Sequence, residues 1–190
     1  MSRNDADERL TKRWHKESLN ERNSLNVSPG YSPWTSRASF KGTGLPLTDR
    51  VKDIIDIYVI RMMKEQQKTV AELEHDLEDC FIDVSQSHGR HCHSREGMNK
   101  CLCTSTMLYS YGQDRLVLPI ESIYMQGYPV TLQVPRHFTG AQLRDFSGEG
   151  MCLPCIASVM WALVYYVPFV ADDVAADSDS QRTLMLGEPR

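Results

Sequence analysis

Apolar positions in this chain first fall into register at Val51, Ile54, Ile55, Tyr58, Val59, Met62 and Met63. Spacings of three and four put these side chains on one stripe of a helix, with order expected to begin near Leu45. Thr48 or Asp49 stands where the first free amides need an acceptor. A second helix is predicted to start at Thr69. Glu72 follows three residues later, so that hydroxyl and carboxylate each serve the other's free amide, and the apolar positions run through Leu73 and Leu77. Phe81, Ile82, Asp83 and Val84 then alternate as a short strand. Residues 101–110 and 115–118 read as extended segments on either side of a turn at Tyr111, Gly112, Gln113 and Asp114. Residues 122–125 predict a short helix stopped by Gly127.

The two ends lack such patterning. Residues 1–46 mix charges with Ser, Asn, Pro and Gly, and Pro29-Gly30 and Ser32-Pro33 are turn signals. A disordered leader is expected there, with Trp14, Tyr31, Trp34 and Phe40 as docking points. Residues 151–170 carry no charge, and a run of that length can cross a bilayer. Pro154 and Pro168 shorten its helix to residues 153–167, no Lys or Arg anchors either end closely, and Asp172 and Asp173 follow. A buried core helix is therefore favoured, with a membrane anchor at 151–170 as the alternative. Residues 171–190 are expected to be a disordered acidic tail.

At 190 residues, 41% hydrophobic and 24% charged, the chain can support one domain with a core. A net charge of −4 argues against a free-standing duplex binder, which needs a basic face. The charged start, from Met1 to Arg9, has no apolar run of a secretory signal. Six cysteines in a chain this long suit free thiols in a reducing intracellular compartment, nucleus or cytoplasm.

Metal-ligand residue types do occur: His88, His91, Cys92, His93, Cys101, Cys103, Cys152 and Cys155. Cys152 and Cys155 have knuckle-like spacing, but no second C-x-x-C completes a pattern. In His91-Cys92-His93, neighbouring side chains of an extended backbone point to opposite faces. No metal is expected, and a zinc-stabilised, non-enzymatic interaction module is the alternative. As a redox pair, Cys152 and Cys155 lack the preceding strand of a thioredoxin-like site.

The densest motif is Arg115, Pro119, Glu121, Met125, Gln126, Gly127, Tyr128 and Pro129, followed by Gly148-Glu149-Gly150-Met151. Together these resemble the last two sequence blocks of the cytosine-5 DNA methyltransferases: R-x-L-T-P-x-E-x-x-x-[LM]-Q-G-[FY]-P, then a Gly-Asn turn opening a C-terminal helix. Leu118 stands where that pattern has a Thr or Ser that would cap the helix, and Glu149 where it has Asn. Upstream, Gln86 and Arg90 match the family's Gln-x-Arg-x-Arg strand motif, with His88 in place of the first Arg. The likeness implies an α/β fold, a partial Rossmann-like methyltransferase C-terminal lobe at residues 47–170 with a buried C-terminal helix. It implies a scaffold or DNA-binding duty for Gln86, Arg90, Arg115, Glu121, Gln126 and Gly127. It also implies that Gly148, Glu149 and Gly150 close one side of an S-adenosylmethionine pocket. The family's glycine-rich cofactor loop, Pro-Cys nucleophile and Glu-Asn-Val motif do not occur in these 190 residues. Leu153-Pro154-Cys155 lies on the wrong side of the other motifs to serve as nucleophile. The reading is thus a methyltransferase-like region, inactive alone, whose partners are DNA and a complementing methyltransferase chain rather than a membrane.

Overall fold

Six helices and three strands follow one another in the computed structural model, which describes residues 3–40, 47–88, 90 and 101–167. They are α1 (Arg3–Ser24), α2 (Asp49–Gln66), α3 (Val70–Leu77), β1 (Phe81–Asp83), β2 (Leu108–Ser110), β3 (Arg115–Leu116), α4 (Pro119–Met125), α5 (Gly140–Glu149) and α6 (Leu153–Tyr166). The chain divides into two units, Met1–Gly150 and Met151–Arg190.

In the first unit α2 is the central element. Thr48 caps it by accepting from the Val51 amide, and seven successive residues, Ile54 through Ile60, are buried. A helix buried on all sides needs more than one neighbour. The core joins Val51, Ile55, Tyr58 and Val59 of α2 to Leu73 and Leu77 of α3 and to Ile82, Tyr109 and Leu116 of the sheet. The expected capping box opens α3: Glu72 accepts from the Thr69 amide at 2.7 Å, and Thr69 accepts from the Glu72 amide at 3.4 Å. The sheet has the order β1-β2-β3, both pairs antiparallel, with Ile82 opposite Tyr109 and Tyr109 opposite Leu116. Tyr111, at the β2–β3 turn, donates its hydroxyl to the Ile55 carbonyl at 2.9 Å and so fixes the sheet to α2.

Three expectations change. The fold is mixed α/β, but its sheet is small and antiparallel. Within the leader expected to be disordered over residues 1–46, residues 3–24 form α1, which lacks an apolar stripe and is held by ion pairs; residues 41–46 lie outside the described residues. Glu8 pairs with Lys12 and Glu17 with Arg13 along the helix, while Arg22 reaches Asp53 and Glu21 reaches Arg61 on α2. Trp34 and Phe40 do dock, packing against the core cluster. Finally, α6 has nearly the expected bounds yet buries no residue. It is apolar around its whole circumference, and the described part of its own unit, residues 151–167, holds no sheet against which to pack. No single helix among the described residues is long and apolar enough to cross a membrane. The expected acidic tail, 171–190, lies outside the described residues.

Candidate functional site

The sharp β2–β3 turn delivers Arg115 to the start of β3, and Pro119 begins α4 three residues after β3 ends. Without a side-chain cap on Leu118, the free amide at this helix start turns to Glu121, whose Oε2 accepts from Leu118 N at 2.7 Å. The same carboxylate takes two parallel hydrogen bonds from Arg115, Nη1 to Oε2 at 2.8 Å and Nη2 to Oε1 at 2.7 Å. That fork-on-fork geometry is the strongest form of an ion pair. Hydrogen bonds from Arg115 hold the Glu121 carboxyl below its ordinary range, against a smaller opposing effect of burial. The pair is thus a strut between strand and helix. Beside it lies an open cleft of about 530 Å³ lined by Phe81, Ser110, Gln113, Val117, Tyr124 and Met125.

At the other end of α4, Gly127 takes φ 86°, where a side chain would be strained. The preceding Gln126 is buried. Its Nε2 donates to the Ser147 carbonyl and, at 3.3 Å, to the Gly150 carbonyl. One amide therefore joins the end of α4 to the end of α5. Thr139 and Gln142 form a capping box at the start of α5, and Gly150 ends it by donating to the Phe146 carbonyl at 2.8 Å. Gly148 has a packing reason: a Cβ there would strike the backbone of Cys103 and Thr104. A second cleft, of about 390 Å³, is lined by Ile123, Gln126, Tyr128, Leu132, Phe146, Glu149 and Gly150.

The resemblance thus supplies contacts at both ends of α4: Arg115 with Glu121 at its start, and at its end Gln126 with the carbonyls of Ser147 and Gly150. Gln86 and Arg90 do not join them. Arg90 donates to Gln86 Oε1 at 3.3 Å, Gln86 donates to Ser85 Oγ at 3.2 Å, and Arg50 donates to the carbonyls of Val84, Ser85 and Gln86. The Gly148-Glu149-Gly150 turn also differs from expectation. It closes α5, and α6 opens only after Cys152. Glu149 and Gly150 line the second cleft while Gly148 faces residues 103–104. The cleft's lining includes no cation to neutralise the carboxylate of S-adenosylmethionine, and Glu149 adds a negative charge. These residues do not make a site for that cofactor by themselves.

No family model matches the chain, and no curated protein matches it. The methyltransferase likeness therefore rests on its sequence blocks alone.

A second polar centre had no signal in the sequence beyond residue type. Asp53 Oδ1 accepts from Arg22 Nε at 2.9 Å and Nη2 at 2.6 Å, Oδ2 lies 2.8 Å from His88 Nε2, and Ser18 adds a further hydrogen bond. Burial pushes the Asp53 carboxyl up, but hydrogen bonds from His88, Ser18 and Arg22, with the Arg22 charge, hold it below the usual value. His88 is wholly enclosed, with its other ring nitrogen unpartnered and Trp14 stacked 6.2 Å away. Every group here is turned inward, so the centre joins α1, α2 and the segment after β1. Among the described residues no three His, Cys, Asp or Glu groups converge to hold a metal; His91, Cys92 and His93 lie outside them.

Proposed function

We propose that residues 115–150 act as the scaffold of a cytosine-5 DNA methyltransferase-like region, which performs methyl transfer only when a complementing chain supplies the missing parts. The observation that carries this reading is the Gln126 amide. It binds the carbonyls of Ser147 and Gly150, and so ties the two blocks of the resemblance into one unit. The Arg115–Glu121 fork and the Gly127 turn add to it, because each fixes the backbone at one end of α4. Covalent attack on a base needs a nucleophile and cofactor held together, and the 190 residues contain neither in a recognisable setting. Under this reading S-adenosylmethionine and DNA are held mainly by the complementing chain, with Glu149 and Gly150 closing one side. A finer Rossmann-like arrangement would then form in the assembled pair.

The test is incubation of the isolated chain with labelled S-adenosylmethionine and a cytosine-rich duplex. No label is expected to enter the DNA. Incorporation above that of a Cys155→Ala control would overturn the scaffold reading.

A further inference from the structure

Two thiols sit side by side at the start of α6. Cys152 is the residue just before the helix and Cys155 its third residue, with Pro154 between them. Both are exposed free thiols. Residues three apart on a helix are neighbours, with Cβ atoms about 5–6 Å apart, a separation that modest closure brings to disulfide geometry. A helix opens with unpaired amides and the positive end of its dipole, and both favour a thiolate. Pro154 has no N–H, and Cys152 makes no side-chain capping bond, so its sulfur is left for chemistry. No Asp or Glu occurs among residues 151–167 to oppose the negative charge. The neighbouring Cys152 sulfur holds the Cys155 thiol above its ordinary range.

From this arrangement we infer that Cys152 and Cys155 form a reversible dithiol–disulfide site, with Cys152 as the attacking sulfur, Cys155 as the resolving one and small-molecule disulfides as oxidant. The site is independent of the methyltransferase reading, since it lies wholly at the start of α6. The Cys152 thiolate attacks one sulfur of the small disulfide. A new S–S bond forms, and the other half leaves as a thiolate that takes up a proton. Cys155 then loses its proton to solvent and attacks Cys152 Sγ, expelling the second thiolate, which is protonated in turn. The chain loses two hydrogens and two electrons, and one disulfide becomes two thiols. The product bridges only the first turn of α6, so it changes the charge and reactivity of that turn without tethering distant elements.

The experiment uses the full chain with oxidised glutathione at neutral pH, followed by alkylation and peptide mapping. Wild-type protein is expected to lose two hydrogens on the peptide holding Cys152 and Cys155, and a reductant should restore them. Cys155→Ser should stop at a glutathione adduct on Cys152. Cys152→Ser should form its adduct on Cys155 about tenfold more slowly, as an un-ionised thiol does. The exposed pair Cys101 and Cys103 serves as internal comparison. Oxidation that maps to Cys101 and Cys103 instead, or equal adduct rates in the two serine variants, would overturn the assignment.

Discussion

Asp53 and Asp56 lie three residues apart on α2 and are held in opposite ways. Asp53 is buried among donors from His88, Ser18 and Arg22, which with the Arg22 charge hold its carboxyl below the ordinary range. Asp56 accepts from the Trp34 and Thr35 amides at 2.8 and 2.9 Å and from the Thr35 hydroxyl, yet burial outweighs these bonds and raises it. A lowered carboxyl lends stability above its unfolded pKa and loses it as pH falls through the folded value. A raised one lends stability at low pH and loses it as pH rises through its folded value. Asp53, Asp114 and Glu121 belong to the first class, Asp56 to the second. Urea midpoints should therefore rise slightly as pH falls toward about 4 and drop below it. Asp56→Asn should remove the rise, and Asp53→Asn should flatten the drop. At neutral pH, Asp53→Ala leaves Arg22 and His88 buried without their partner and should cost about 3–5 kcal/mol. A loss under 1 kcal/mol in urea denaturation would show that the cluster is solvated.

At the scale of elements, α2, α3, the three strands and the short α4 were legible because a period or a cap marks each. Val51 to Met63 keeps one stripe, Thr69 and Glu72 form a reciprocal cap, and Gly127 ends α4. The helix α1 was not legible, because its contacts are the ion pairs of Arg22 and Glu21 with residues far along the chain, and charge spacing does not reveal a distant partner. The helix α5 did have a signal, the Thr139 and Gln142 box, which its sparse apolar residues obscured. For the candidate site, the motif named Arg115, Glu121, Gln126 and Gly127, whereas Ser147 and the backbone at 103–104 contribute carbonyl and packing contacts that no side-chain pattern announces. Two substitutions test this junction. Gly127→Ala should cost about 1–2 kcal/mol because of its positive φ. Gly148→Ala should destabilise more than Gly140→Ala, which meets only the Pro119 side chain at 3.5 Å. Equal melting temperatures for the Gly148→Ala and Gly140→Ala variants would contradict the close approach.

For the molecule as a whole, the decisive feature is an apolar helix, α6, none of whose residues is buried. Val159 is 60% exposed, Trp161 72% and Tyr165 72%, so one flat neighbour would not cover the helix. In the isolated chain Val159→Asp should change stability by no more than about 0.5 kcal/mol, as for other exposed positions. A loss of several kcal/mol would restore the buried helix expected from the sequence. A scaffold awaiting a complementing chain would account for such a surface. The most direct measurement mixes this chain with the N-terminal lobe of a cytosine-5 methyltransferase, cut before its last two blocks, and follows labelled methyl transfer to duplex DNA. The account predicts transfer that neither polypeptide performs alone and that Gln126→Ala abolishes. Transfer by the mixture no greater than by the lobe alone, with no complex formed, would contradict it.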